Sequence, residues 1–274
     1  MEIHFCNCNI LDETLLDLIN KEITPGLSKS EISSFYRKWK ENFDTNNIDF
    51  DILTEAIASD FHIPDNKSLV GIDFPTWFNI NTSNTKRIMI LGIDPLRSVN
   101  AFEGYDLNNQ TLIGTPYAMH RKSMREGNQG ILRSYWGFVK SLIDKNYGIY
   151  LTDIFKVYFM SQNQRSYNHK YFIENKQKHL KQILEKEIEM INPDLIIVLG
   201  NKPLNLLGIQ KIKITNKISK NLEYNGRSIL PMVHLSGLAS GGRKKFISNN
   251  LNGEKNINDI DSYLKIVESF INDN

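Results

Sequence analysis

The sequence predicts an α/β protein, a three-layer sandwich whose central, mainly parallel sheet of four strands is flanked by helices. Two observations carry this. Four short apolar runs, "RIMILGID" (87–94), "GIYLTDIF" (148–155), "LIIVLGN" (195–201) and "ILPMVHLS" (229–236), are rich in Ile, Leu and Val and barely alternate. Strands buried on both faces of a parallel sheet read this way. Helical repeats lie between the runs, and strand alternating with helix implies right-handed crossovers.

The elements follow in chain order. Residues 11–60 read as helical, and the part up to about residue 85 is expected to be mainly helical and to pack beside the sheet. The polar stretch "NTSNTKR" (81–87) reads as a loop before the first strand. In "ILRSYWGFVKSLIDK", Ile131, Leu132, Tyr135, Trp136, Val139, Leu142 and Ile143 recur at helical spacing, as do Leu180, Ile183, Leu184, Ile188 and Ile191 in "HLKQILEKEIEMINPD". Pro193 ends the latter helix and Asp194 opens the next strand. "KPLNLLG" gives a short helix closed by Gly208, and "INDIDSYLKIVESFI" a final amphipathic helix. No repeat or low-complexity linker divides the chain, so one domain is expected over residues 1–274.

Composition narrows the function classes. The hydrophobic fraction of 41% supports a sizeable core, and a net charge of +2 over 274 residues does not announce a nucleic-acid binder. A local basic groove stays open. Cys6 and Cys8 are the two cysteines. A closed zinc or iron–sulfur site usually needs four Cys or His ligands, so neither a metal nor a cofactor is expected. Two reduced thiols and a start, "MEIHFCNCN", without signal-peptide character lead us to expect a cytoplasmic protein, and a monomer is expected. No apolar run approaches the roughly 20 residues of a membrane span.

Ligands of open α/β sheets bind outside the carboxyl ends of the strands. Here those ends carry Asp94-Pro95, Thr152-Asp153, Gly200-Asn201-Lys202 and His234-Leu235-Ser236. Two carboxylates and a histidine converging on one edge suggest an active site. Read alone, Asp94 fits a turn cap as well as a catalytic acid, and His234 fits a satisfied histidine at a strand end.

In their order, these motifs resemble the uracil-DNA glycosylase superfamily. "GIDPL" (92–96) is similar to the family's water-activating GQDPY, "HLSGLA" (234–239) to HPSPLS, and "IYLTDIFK" (149–156) to VYITNVVK. "IGTPYAM" (113–119) offers Tyr117 where the family stacks a Phe on the extruded base. The resemblance covers roughly residues 85–250. Its iron–sulfur branch needs four cysteines and is set aside.

The resemblance implies a partner and a set of roles. The partner is double-stranded DNA holding a damaged or modified base, with no membrane involved. Asp94 would stabilise an oxocarbenium-like sugar and orient water, with Pro95 stiffening the turn. His234 would donate to the pyrimidine O2 as charge builds there. Leu238 would wedge into the duplex behind the flipped base, unless it is an ordinary loop leucine. "SGLASGGRKK", with Ser236, Ser240, Gly241, Gly242, Arg243, Lys244 and Lys245, has the composition of a phosphate-holding loop. "HRKSMREGNQG" (120–130) reads as a second basic loop or as a plain hydrophilic insertion.

Two positions depart from the family pattern. Asp153 stands where the family has its base-reading Asn, and Leu96 where a Tyr excludes a methyl at carbon five. An Asn amide offers a donor and an acceptor, matching uracil's O4 and N3–H. An ionised Asp accepts only, which suits the N4 amino group of cytosine; a protonated Asp can also donate to cytosine N3, and can serve uracil. The shorter Leu96 leaves room at carbon five. The pair points to a 5-substituted cytosine. In these departures the chain resembles phage-defence members of the superfamily, which implies a base such as the glucosylated hydroxymethylcytosine of phage DNA and a role in antiviral defence. The polar loop Arg97–Thr115, with Asn100, Glu103, Asp106, Asn108, Asn109 and Gln110, carries sugar-binding residue types or is polar filler. A repair uracil-DNA glycosylase and a catalytically idle DNA-binding protein on the same scaffold are the alternatives.

Overall fold

A computed structural model describes residues 3–6, 12–24, 26–45, 52–55, 67–80, 85–93, 110–126, 130–161, 177–209, 212–219, 221–236, 239–251 and 258–272. In chain order the elements are helices α1 (Asp12–Leu18, continued by a π turn, Ile19–Ile23) and α2 (Lys29–Thr45), then strands β1 (Ile52–Glu55), β2 (Lys67–Asp73), β3 (Thr76–Phe78), β4 (Arg87–Gly92) and β5 (Gln110–Gly114). Helices α3 (Lys122–Glu126) and α4 (Gly130–Asp144) lead to β6 (Gly148–Asp153) and β7 (Val157–Ser161). Then come α5 (Gln177–Ile191), β8 (Leu195–Leu199), α6 (Asn201–Leu206), β9 (Glu223–Tyr224), β10 (Arg227–Met232), α7 (Ser240–Asn250) and α8 (Asp259–Asn272).

The main sheet has the order β3-β6-β4-β8-β10-β9. Its four central strands are the four apolar runs, and they pair in parallel, with Ile88 opposite Ile149 and Leu195, and Ile229 opposite Ile196. Their side chains are buried on both faces, and the helices pack in two groups, α4 and α7 against α8, and α5 against α1. Each Ile or Leu so buried contributes about 1.5–3 kcal/mol. The helical stripes match the spacing: Tyr135, Phe138, Val139, Leu142 and Ile143 are buried on α4, and Leu180, Ile183, Leu184, Ile188 and Ile191 on α5. The α5 terminus is tied to the sheet. Asp194 accepts the Arg87 N–H at 2.7 Å, and the Arg87 guanidinium donates to the Ile191 carbonyl at 2.8 Å.

The sequence pattern did not anticipate the edges. β3 and β9 extend the main sheet from four strands to six by antiparallel pairing. A second sheet, β1-β5-β2-β7, lies outside it. The N-terminal part is therefore mixed rather than mainly helical: helices run from Asp12 to Thr45, and β1, β2 and β3 follow. These strands are short and draw their hydrogen bonds from residues far along the chain, β1 from β5 and β2 from β5 and β7. Local periodicity cannot report such pairing. For the same reason Gln110 belongs to a strand and not to a loop; Asn100, Glu103, Asp106, Asn108 and Asn109 lie outside the described residues.

Candidate active site

The ends of β4 and β6 meet side by side, with Gly92 in register with Asp153. Asp153 is 3% exposed. A β-carbon on Gly92 would stand 2.1 Å from Oδ1 of Asp153 and 2.8 Å from the Tyr117 hydroxyl oxygen. Only glycine leaves room for both groups. The turn after β4 is then held by β6: the Ile154 N–H donates to the Gly92 carbonyl at 3.2 Å and the Phe155 N–H to the Ile93 carbonyl at 2.9 Å. The chain leaves this point toward Asp94, which with Pro95 and Leu96 lies outside the described residues.

Tyr117 arrives from the second sheet. β5 ends at Gly114, and the turn Pro116–Ala118 follows. Tyr117 and Ala118 both occupy the left-handed region, at φ 56° and 51°. Such backbone costs about 1–2 kcal/mol per residue and gathers at functional sites. The surroundings hold it. Thr115 Oγ1 lies 3.0 Å from His120 Nδ1, and the Ala118 N–H donates to the Thr115 carbonyl at 2.8 Å. Arg125 donates to the Met119 carbonyl at 2.7 Å. The Tyr117 ring stacks on Tyr135 of α4, with centroids 4.1 Å apart and planes 15° from parallel.

Tyr135 carries the contact on to His234. Its hydroxyl oxygen lies 2.6 Å from Nδ1 and 2.8 Å from Nε2 of the imidazole. Burial pushes the Tyr135 hydroxyl well above the ordinary tyrosine range, so it stays protonated. The Ser236 N–H donates to Nδ1 at 3.3 Å. The Ser236 N–H favours Nδ1 as an acceptor, whereas the Tyr135 hydroxyl lies within reach of both ring nitrogens and does not select a tautomer. The loop around His234 is braced as well. Tyr263 donates to the Val233 carbonyl at 2.7 Å, and Arg243 donates to the Leu235 and Ser236 carbonyls and to Asp259.

Asp153, Tyr117 and His234 therefore belong to one continuous constellation, joined by Tyr135. Ser236 lies in it through its backbone, and Leu238 lies outside the described residues. The segment expected to be a phosphate-holding loop is in part helix: Ser240, Arg243 and Lys244 all sit on α7, with Ser240 and Lys244 exposed. Arg243 turns inward to the loop carbonyls. In the basic segment 120–130, Arg125 turns inward: it is 4% exposed, and its guanidinium stands 3.9 Å above the Phe43 ring. Among the described residues no group of three or more His, Cys, Asp or Glu side chains could hold a metal ion, and no helix is long and apolar enough to cross a membrane.

A family model described as the uracil DNA glycosylase superfamily matches residues 80–258, which takes in every element of this constellation. The chain belongs to the uracil-DNA glycosylase superfamily. It is thus a DNA glycosylase by descent, and DNA is its partner. No curated protein matches the chain.

In this glycosylase the strand bearing Asp153 rests on a buried ionic network. Lys156 and Glu187, both 0% exposed, pair at 2.6 Å. Glu187 also accepts from Tyr150 at 2.9 Å and from Thr152 at 2.8 Å, and Lys156 donates to Thr152. Burial, then the Glu187 charge, pushes the Tyr150 hydroxyl far up. Sequence reading missed Gly92, Tyr135, Lys156 and Glu187. One signal was present: Glu187 interrupts the apolar stripe of α5, three residues after Leu184 and four before Ile191.

Proposed function

We propose that the protein is a monofunctional DNA glycosylase that flips out a 5-substituted cytosine, such as glucosylated hydroxymethylcytosine of phage DNA, and leaves an abasic site. The observation that carries this reading is Asp153. It is a buried carboxyl at the position of the family's base-reading Asn, set against Gly92 beside Tyr117. A carboxylate there accepts the N4 amino group of cytosine. Facing the O4 of uracil it would oppose lone pairs, a penalty of about 1–3 kcal/mol or more. Leu96 in place of the family's Tyr supports a group at carbon five, and demanding that group would spare unmodified cytosine. Antiviral defence is the use this substrate suggests.

In the proposed reaction the bond between C1′ and N1 breaks, and the electron pair goes to the base. Asp94 stabilises the cationic sugar and orients the water that adds to C1′, and the proton this water loses reaches the departing base anion by way of solvent. His234 donates a ring N–H to O2 of the leaving base, and one such preorganised donor is worth roughly 2.7–4 kcal/mol. Tyr117 stacks on the flipped base, Leu238 fills the gap in the duplex, and Ser236, Ser240 and Lys244 meet phosphates. Lys156 is engaged with Glu187 and Thr152, which supports hydrolysis over a lysine-dependent lyase step.

The test is direct. Duplexes holding uracil, cytosine, hydroxymethylcytosine or its glucosylated form are incubated with the protein and treated with alkali. Strand breaks are expected at the glucosylated base, and Asp153→Asn should shift release toward uracil. Breaks at uracil alone would replace this reading with that of a repair uracil-DNA glycosylase.

A further inference from the structure

Charge is unevenly distributed along the chain. Residues 195–253 hold nine Lys or Arg and one acid, Glu223, a formal +8 in a chain whose total is +2, so all other residues together sum to −6. Such asymmetry marks a polyanion-facing surface. Two of the nine are committed within the fold, Arg243 to the His234 loop and Arg227 to Asn192. Lys202, Lys213, Lys217, Lys244 and Lys245 are exposed, and none of these five carries an ion pair among the described residues.

Their arrangement is built. The segment Ile212–Ser219 runs as a strap along α7. Asn249 donates to the Thr215 carbonyl at 2.7 Å, Asn250 donates to the Asn216 carbonyl at 3.2 Å, and the Ile218 N–H donates to Asn250 at 2.9 Å. Ile214 is buried, which anchors the strap between its two exposed lysines. The first turn of α7 adjoins the His234 loop, where the Ala239 N–H donates to the Ser236 carbonyl at 3.0 Å. From there α7 runs 11 residues. At about 1.5 Å per residue that is roughly 16 Å, or about five base-pair steps of 3.4 Å.

We propose that the Ile212–Ser219 strap is a second DNA-gripping surface, with Lys213 and Lys217 meeting backbone phosphates beside the flipped nucleotide. The proposal rests on the DNA-glycosylase reading but not on which base is released. Two asparagines hold a short lysine-bearing loop against a helix that itself carries exposed lysines, and no acid lies on either segment. The partner that fits is a regularly spaced line of phosphates.

The test uses the full chain and a plain duplex of about 25 base pairs. Affinity is read by fluorescence anisotropy between 50 and 200 mM salt. Each lost phosphate contact lowers the slope of log affinity against log salt by about 0.9, so Lys213→Gln/Lys217→Gln should reduce it by about 1.8. Lys40→Gln/Lys181→Gln, on α2 and α5 rather than on the strap or α7, should leave it unchanged. An unchanged slope in the strap variant would overturn the proposal. Base release by the wild type on the same duplexes carrying a modified base separates this failure from failure of the glycosylase reading. A strap that grips also predicts a fall in kcat/KM that shrinks as the duplex is cut back toward the target base.

Discussion

Oδ1 of Asp153 sits so close to Gly92 that a single added methyl would come within 2.1 Å of it. The two residues are register partners at the ends of adjacent parallel strands. Gly92→Ala should therefore displace the Asp153 carboxyl and the Tyr117 hydroxyl together. Overpacking of this kind costs about 1–3 kcal/mol, and about 2–4 °C of Tm accompanies each kcal/mol in a chain near this size. Base release should fall much further than stability, by two orders of magnitude or about 2.7 kcal/mol in the barrier. A variant with wild-type release rates would show that the Asp153–Gly92 contact does not shape the base pocket.

Tyr135→Phe isolates one hydroxyl. The stack on Tyr117, 4.1 Å between centroids, persists, while the contact to His234 is lost. The expected stability cost is about 1 kcal/mol. The expected loss in single-turnover release is about tenfold, or roughly 1.4 kcal/mol. A purely structural role would leave the histidine's titration alone, so the decisive readout is the His234 ring signal by NMR across pH. An unmoved titration with unchanged release would remove Tyr135 from the positioning of His234.

The four central strands and the polar residues at their ends were legible because burial on both faces leaves a continuous apolar run. The ordered motifs then brought Asp153, Tyr117 and His234 to one edge. Other features were not legible, for a common reason. β1, β2 and β5 exist through pairing with distant residues, and the contact between Tyr135 and His234 spans 99 positions. Tyr135 looked like one more apolar residue in a stripe. Arg243 looked like a phosphate ligand, since composition cannot say that its guanidinium is taken up by two loop carbonyls and Asp259. The Ser240–Asn250 helix was hidden by small residues with low helix propensity at its start.

Removing either partner of the Lys156–Glu187 pair should be costly, and the two losses should differ. Lys156→Met leaves one buried carboxylate that still receives Tyr150 and Thr152, at 2.9 and 2.8 Å. Glu187→Leu leaves the buried Lys156 ammonium with Thr152 alone and strands the Tyr150 and Thr152 hydroxyl donors. Breaking a buried pair costs about 3–5 kcal/mol, whereas replacing both members with apolar groups is often far milder. Urea unfolding of both single variants and of Lys156→Met/Glu187→Leu should place Glu187→Leu lowest. The double variant should be well above the sum of the singles. Strict additivity would mean that the pair is not coupled.

Stability should also fall steeply in alkali, and the tyrosines set where. Burial raises Tyr135 and Tyr263 above the usual tyrosine range, and burial with the neighbouring Glu185 charge raises the half-exposed Tyr224 to about 12. Each raised hydroxyl holds its proton in the folded chain after the unfolded chain has released it. Their contribution is fully present below the unfolded value of 10.0. It is lost as pH climbs from there through each folded value, by at most about 1.4 kcal/mol per pH unit for each group. Solvent screening makes the share of Tyr224 smaller. Chemical denaturation between pH 8 and 11 should show a plateau from these groups up to pH 10 and a decline beyond it. Tyr135→Phe/Tyr263→Phe starts lower on that plateau and should decline less steeply. A wild type and a double variant with equal slopes above pH 10 would mean that neither hydroxyl is shielded in the folded protein.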